Sequence, residues 1–253
     1  MHTEIGDGIY SIGQWQGGQV RCFLLDDGRH LTLVDTLWDT DAHRVLEAIQ
    51  SIGRKVTDLH HIVITHAHFS HLGGLAALQR MSNATVHCHI WEADIVEGDR
   101  AAQPVTFAPM RPVHQYFSVY YLQYGSTLGF GRHRPYRVNS LLGDGDRVGP
   151  LQVINAAGHT PGHLAFYWPE RKALFAGDAV VSYPVVAPGW PAFVLNHRQA
   201  FASLCRMADR ALDLVAVGHG DALVGNVGGR MAQLILQAQR DWGESARLEE
   251  VAP

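Results

Sequence analysis

The sequence lacks the signals of a disulfide-rich, membrane-spanning or secreted protein. Its only cysteines, Cys22, Cys88 and Cys205, are far apart and odd in number, so we expect neither a disulfide framework nor a thiolate metal site. No stretch approaches the run of about 18 apolar residues that a membrane helix needs, and the N-terminus lacks a basic start and an apolar segment. We therefore expect no membrane association and a location in the cytoplasm.

Charge is also scarce, and positive charge is not concentrated. Only 17% of the residues are charged, and the net charge at pH 7 is -4. Nucleic-acid-binding surfaces normally need clustered lysine and arginine. The nearest basic run, GRHRPYR at 131–137, is predicted to be a solvated loop, with anion binding as the alternative. We expect no nucleic-acid partner, and the 47% hydrophobic content is enough for a sizeable core.

Histidine, by contrast, is abundant, with 16 residues in a chain of 253. Because histidine is the commonest metal ligand, the question is which of them converge in space. The segment THAHFSHLGG at 65–74 holds His66, His68 and His71. An H-x-H pair in an extended chain can chelate one ion, and a histidine three residues further can point toward a neighbouring ion. On its own, this segment does not decide between a metal site and a polar loop.

Three later segments supply further potential ligands, each beside a predicted strand. His159 lies in AAGHTPGH, where glycine and proline favour a tight turn. Asp178 directly follows the apolar run ALFAG, where an unpaired carboxylate would be costly to bury. His219 lies in GHG after the run DLVAV. Together these segments favour a metal site over a polar loop.

The hydrophobic patterning predicts two strand-rich halves, each followed by helices, in a single domain over 1–242. The first 35 residues are predicted to form a β-meander, and later strands are expected at 60–66 and 84–90 and in three segments between 144 and 181. Helices are predicted over 41–52, 71–81, 197–208 and 227–242. An aromatic-rich stretch at about 91–138 is interpreted as an insertion of helix plus loop, and 243–253 as a polar tail.

The motifs THAHFSHLGG, GHTPGHLAF, LFAGDAV and GHG, in this order and spacing, resemble those of the metallo-β-lactamase superfamily of hydrolases. The resemblance covers nearly the whole chain and is greatest to the glyoxalase II-like and lactonase-like branch. It implies an α+β fold, a four-layer αββα sandwich of two mixed β-sheets flanked by helices. It also implies a two-metal site, usually zinc, at one edge of the paired sheets.

Carried over position by position, the resemblance implies a set of ligands. His66, His68 and His159 would bind the first metal, His71 and His219 would bind the second, and Asp178 would bridge the two. Asp35 in LVDT matches a position that fixes imidazole tautomers, with a strand-end turn residue as the alternative. The remaining candidates are expected to be structural or solvent-facing: His60, His61, His87, His89 and His163.

Ser70 departs from the family pattern H-x-H-x-D-H, where it replaces the aspartate. Because a neutral hydroxyl is a poor zinc ligand, we expect one tightly bound zinc and a second that is weak or absent, with iron or manganese as alternatives. Asp178 would then orient the attacking hydroxide, with Ser70 holding a water. Ser70 could instead cap a helix that begins near His71, or it could be an introduced substitution.

The implied activity is hydrolysis of a small ester, lactone or thioester by a metal-bound hydroxide. The alternatives are a mononuclear iron oxygenase of the same fold and a non-catalytic metal-binding member. The aromatic stretch is expected to form a pocket for a substrate with an apolar or aromatic part, although tyrosines at helical spacing also suit a core. The candidate pocket residues are Tyr116, Phe117, Tyr120 and Tyr121. Tyr183 is a candidate for holding a carbonyl or oxyanion, and a homodimer is one option for the oligomeric state.

Overall fold

A computed structural model describes residues 2–103, 105–127 and 133–248 of the chain. Two β-sheets form its centre. The strands of the first sheet are β1 His2–Gly6, β2 Ile9–Gln14, β3 Val20–Asp26, β4 Leu31–Val34, β5 Leu59–Val63, β6 Thr85–His89 and β7 Ser140–Leu142. The strands of the second sheet are β8 Arg147–Val148, β9 Leu151–Asn155, β10 Leu164–Trp168, β11 Ala173–Gly177, β12 Leu214–Val217 and β13 Leu223–Val224.

Both sheets are mixed. In the first, the strands lie in sequence order; β1 to β4 pair antiparallel, and β4 to β7 pair parallel. In the second, the order is β13-β12-β11-β10-β9-β8, and only the β11–β12 pair is parallel. The prediction of an α+β fold with two mixed sheets is confirmed, as is the β-meander at the start of the chain.

The helices are α1 Gln16–Gln19, α2 His43–Ser51, α3 Phe69–Leu72, α4 Leu75–Ser82, α5 Ile90–Val96, α6 Phe117–Thr127, α7 His197–Ala208 and α8 Val227–Leu248. Helices α2, α4 and α5 cover the outer face of the first sheet, and α7 and α8 cover that of the second. The side chains of β11 alternate between the two faces of its sheet. Phe175 packs against Phe23 in the core between the sheets, whereas Leu174 and Ala176 join the core beneath α7 and α8. This alternation produces the four layers.

The structure differs from the predicted helix bounds in two places. The helix expected over 71–81 is broken into α3 and α4, because the N–H groups of Gly73 and Gly74 donate to the carbonyls of Leu37 and Thr36 instead of to the preceding turn. Helix α8 continues to Leu248, into the segment expected to be a polar tail. Glutamate, alanine, arginine and leucine are strong helix formers, so a polar composition did not end the helix. Residues 249–253 lie outside the described residues.

Other expectations concern individual segments. Cys22 and Cys88 are buried, Cys205 is half-buried, and all three are free thiols. The basic run at 131–137 begins outside the described residues, which include only 133–137 of it. Within the described ranges, no helix combines the length and apolar character needed to cross a membrane.

Candidate metal centre

Four loops at one edge of the sandwich bring the predicted ligands together. These loops follow the carboxyl ends of β5, β9, β11 and β12, so both sheets contribute. The structure forms two clusters that share one residue. The first cluster is His66, His68, His159 and Asp178, and the second cluster is His71, Asp178 and His219. Within each cluster, the potential ligand atoms all lie within 4.8 Å of one another.

The first cluster has the spacing of a tetrahedral donor set. The Nδ1 atom of His68 lies 3.0 Å from Nε2 of His66 and 3.1 Å from Nε2 of His159. Oδ2 of Asp178 lies 3.7 Å from the His66 nitrogen and 3.6 Å from the His159 nitrogen. Zinc–ligand bonds of roughly 2.0–2.1 Å give a tetrahedron with edges of about 3.3 Å. The four atoms therefore suit one metal ion.

The second cluster uses both oxygens of the same buried carboxylate. Nε2 of His71 lies 3.5 Å from Oδ1 of Asp178, and Nε2 of His219 lies 3.2 Å from Oδ2. The second cluster has three potential ligand residues, whereas the first cluster has four. Ser70 belongs to neither cluster.

Hydrogen bonds outside the clusters assign the ring tautomers of two histidines. The Asp35 carboxylate accepts the Thr65 backbone N–H and hydroxyl, each at 2.8 Å. Because the Thr65 hydroxyl donates its hydrogen to Asp35, it accepts a hydrogen bond from Nδ1 of His66 at 3.0 Å. Asp35 also accepts from Nδ1 of His71 at 2.9 Å. When either ring is neutral, therefore, its Nε2 presents a lone pair to the site.

His219 has the same orientation. Its Nδ1 donates to the carbonyl of Gly18 at 3.0 Å, so Nε2 of the neutral ring also presents a lone pair to Asp178. A carboxylate that faces neutral imidazoles through their lone pairs is repelled by them unless a cation, either a metal ion or a ring proton, lies between them. Among the described residues, Nε2 of His71 and Oδ1 of Asp178 are buried, lack a hydrogen bond and lie 3.5 Å apart. These two atoms fit a cation bound between them.

The electrostatics favour neutral imidazoles in the first cluster. Burial lowers the pKa of His66 and of His159 well below the ordinary value, and neighbouring histidines add to the effect. Burial likewise lowers the pKa of His68 to about 4, against the opposing charge of Asp178. At neutral pH, all three rings therefore have a lone pair available for a metal ion.

The second cluster attracts positive charge. Burial lowers the pKa of His71, but the charges of Asp178 and Asp35 outweigh it and raise the pKa to about 10. Without a metal ion, His71 is therefore protonated at neutral pH, and a bound cation would replace the proton on Nε2. Burial raises the pKa of Asp178, but His219 and His71 outweigh it and hold that pKa well below the usual range. Imidazole and carboxylate ligands suit zinc and iron, so the residues present fit a metal ion of this kind.

Ser70 does not cap a helix, so this alternative prediction is wrong. Helix α3 begins at Phe69, and the residue before it is His68, whose backbone is extended and whose carbonyl accepts the His71 N–H at 2.9 Å. Ser70 is therefore inside the first turn, with a buried side chain. The helix starts two residues earlier than expected because the chain turns directly after the H-x-H pair.

The other histidines lie outside both clusters. Nε2 of His163 accepts the backbone N–H of Asp178 at 3.1 Å, and its ring stacks on His66 with centroids 5.0 Å apart. His61 and His87 contact each other, with ring nitrogens 3.2 Å apart, and His89 caps α5 by accepting the Trp91 N–H. His60 is exposed and stacks on His30.

The aromatic stretch divides into two faces. Tyr116 and Tyr120 pack in a cluster with residues of the 181–193 segment, and the Tyr120 hydroxyl bonds the backbone of Met110. Phe117 and Tyr121 are 79% and 72% exposed. The structure therefore does not bring the four candidate pocket residues together.

Two aromatic residues that the sequence did not single out lie against the clusters instead. The ring of Trp190 is 4.3 Å from that of His219, and Phe193 stacks parallel to His159 at 6.3 Å. Tyr183 reaches the insertion, where its hydroxyl lies 2.8 Å from that of Ser118, and its carbonyl accepts the Trp190 indole N–H. Apolar rings thus border the site on the side of the insertion.

Sequence comparison agrees with this geometry. The chain belongs to the metallo-β-lactamase superfamily, whose sequence profile matches residues 15–219. It is 29% identical over 231 residues to the uncharacterized protein YobT of Bacillus subtilis (strain 168), covering 87% of this chain and 91% of that protein. It is 28% identical over 181 residues to a hydroxyacylglutathione hydrolase of Rhodobacter capsulatus, covering 71% of this chain and 55% of that enzyme.

The fold also matches a solved structure. A metallo-β-lactamase of Cronobacter sakazakii with a mutated HARLDQ motif superposes with a TM-score of 0.67 at 20% identity, over 100% of this chain and 99% of that one. This similarity confirms the fold. The chain spans about half the length of the hydroxyacylglutathione hydrolase that it matches.

Proposed function

We propose that this chain is a metal-dependent hydrolase of a small thioester, ester or lactone. The observation that carries the proposal is the buried Asp178 carboxylate facing imidazole Nε2 atoms from loops of both sheets. A bound zinc ion would polarise a carbonyl oxygen and lower the pKa of water to about 7, which is the chemistry these bonds require. The relative named hydroxyacylglutathione hydrolase favours a thioester among the three.

The residues of the chain have distinct tasks in this proposal. His66 and His159 would bind the ion through Nε2, and His68 would bind it through Nδ1. The three imidazoles would leave a fourth position of a zinc ion open to water, and Oδ1 of Asp178, which lacks a hydrogen-bond partner among the described residues, would accept a hydrogen bond from the attacking water. Phe193 and Trp190 exclude water beside the ligands and suit a substrate with an apolar or aromatic part.

Metal analysis of the purified chain and of Ser70→Asp tests the ion count. We expect one tightly held zinc in the wild type, because the second cluster has only three donors, and two in Ser70→Asp, which restores a carboxylate. Ser70→Asn is the matched control, since asparagine has the shape of aspartate without its charge. This variant should still hold one ion. Two tightly held ions in the wild type would contradict the single-site proposal.

Hydrolysis is tested on a panel of thioesters, esters and lactones with small and aromatic acyl groups. We expect zinc-dependent turnover by the wild type and faster turnover by Ser70→Asp. If neither form hydrolyses any member while both bind zinc, the chain is a metal-binding member without hydrolase activity.

An iron oxygenase is the second candidate, because one observation favours it. The second cluster contains two histidines and one carboxylate, a ligand set that non-haem iron enzymes use. Purified protein that is coloured, contains iron and consumes oxygen with a substrate would support this candidate over the hydrolase.

A further inference from the structure

Glu92 is a completely buried carboxylate that the two clusters do not include. It lies in the first turn of α5, and its side chain accepts three hydrogen bonds. Oε2 accepts the backbone N–H of Ala67 at 3.0 Å. Oε1 accepts the hydroxyl of Thr160 at 2.7 Å and the backbone N–H of Gly162 at 3.0 Å.

These three donors lie beside the ligands of the first cluster. Ala67 separates His66 from His68, and Thr160 directly follows His159. The loop of Ala67 follows a strand of the first sheet, whereas Thr160 and Gly162 connect two strands of the second. One carboxylate therefore joins the two loops whose ring nitrogens must stand about 3 Å apart for one ion.

The chemistry of the position requires a carboxylate. Three donors face two oxygens, which a carboxylate accepts fully, whereas a glutamine would turn an N–H group toward a donor. The loop is also shaped to bring the carboxylate close. A Cβ on Gly162 would lie 2.8 Å from Oε1 of Glu92 and 3.0 Å from Nδ1 of His89, so only glycine permits this approach.

We propose that Glu92 is a positioning residue that holds the loops of the first cluster at the spacing one metal ion needs. It acts through Ala67, Thr160 and Gly162 and does not bind the ion itself. Its partners Ala67 and Thr160 are adjacent in sequence to metal ligands. The negative charge of Glu92 therefore lies near the first cluster and also favours a dication there. The inference rests on the metal site of the proposed function.

Zinc affinity and the visible spectrum of the cobalt-substituted full chain test this role. Glu92→Gln should weaken the affinity for the first ion by about 10- to 100-fold, as loss of a partner behind a ligand does, and should alter the cobalt absorption bands. Thr160→Val removes one of the three bonds and should shift both readouts in the same direction by less. Glu97→Gln is the matched control. Glu97 directly follows the same helix, and among the described residues its side chain accepts the Val138 N–H at 2.9 Å, in the segment that leads from the insertion back to the first sheet.

The outcomes separate a positioning role from a purely structural one. If Glu92→Gln and Thr160→Val melt at lower temperature but keep wild-type zinc affinity and cobalt bands, Glu92 is merely structural and the inference is wrong. If Glu92→Gln does not fold, Thr160→Val alone decides. A wild-type chain that binds neither zinc nor cobalt would overturn the proposed function and the positioning role with it.

Discussion

Asp35 controls which nitrogen of His71 faces the carboxylate of Asp178. It accepts hydrogen bonds from Thr65 and from Nδ1 of His71, so the lone pair of a neutral, metal-binding His71 lies on Nε2. Thr65 orients His66 in the same way, because its hydroxyl donates to Asp35 and accepts a hydrogen bond from Nδ1 of His66. A single carboxylate behind the site thus orients one ligand of each cluster, which is the role that the LVDT motif predicted for it.

Asp35→Asn should therefore change the tautomer of His71. The amide would place an N–H group against Nδ1, and the ring would accept from it and carry its own proton on Nε2, where a metal ion would otherwise bind. We expect the second ion in a Ser70→Asp background to be lost while the first is kept, and the free energy of unfolding to fall by about 2–3 kcal/mol. Metal analysis and urea denaturation measure both effects.

Asp144→Asn is the control for Asp35→Asn. Asp144 also accepts a backbone N–H, from Asn155 at 2.7 Å, but it is exposed and remote from the ligands. It should change neither the ion count nor stability appreciably. Retention of both ions in the Asp35→Asn, Ser70→Asp variant would show that the tautomer of His71 is set by something else.

At the scale of elements, the loop that carries His159 is fixed by helix α7. The carbonyl of Gly158 accepts the N–H groups of Leu195 and Asn196, and the hydroxyl of Ser203 donates to Ala157. A Cβ on Gly158 would lie 2.5 Å from Cα of Ala200, and its φ of +139° is one that other residues rarely adopt. The loop and the helix therefore move together.

Gly158→Ala should push the loop away from α7. Because the obstacle is helix backbone, we expect a loss of more than about 2 kcal/mol in the free energy of unfolding, together with weaker zinc binding through His159. Gly145→Ala is the control, since Gly145 has a φ of +86° but open space around it. It should cost only about 1–2 kcal/mol and leave zinc affinity unchanged. Equal effects of the two variants would contradict this account.

The sequence reveals a functional residue when its signal is local, and it does not when the residue depends on contacts that are distant along the chain. The six potential ligands lie in short motifs at strand ends, so a local pattern was enough to find them. Glu92 gave no such signal, because its partners are 25, 68 and 70 residues away and a glutamate in a first helical turn is ordinary. Trp190 and Phe193 were missed for the same reason, since only folding brings them against His219 and His159.

At the scale of the whole molecule, the first cluster joins the two sheets. His66 and His68 follow a strand of the first sheet, whereas His159 and Asp178 follow strands of the second. An ion bound to all four stabilises only the folded chain, because the unfolded chain does not hold these residues together.

Removal of the metal ion should therefore lower the melting temperature of the whole chain. Free zinc at 100 times its dissociation constant would contribute about 2.7 kcal/mol to the free energy of unfolding, and a chelator abolishes this contribution. Calorimetry with and without chelator measures the shift, with zinc-saturated chelator as the control. An unchanged melting temperature after zinc has been removed would mean that the ion does not link the sheets.

The contact between Trp190 and His219 has a further, optical consequence. Trp190 is one of six tryptophans, and its buried indole ring lies 4.3 Å from an imidazole of the second cluster. An ion with unpaired electrons, such as cobalt, would quench an excited indole at this distance, whereas zinc, with its filled d shell, would not. Quenching of Trp190 fluorescence by added cobalt would therefore report occupancy of the second cluster, separately from the first.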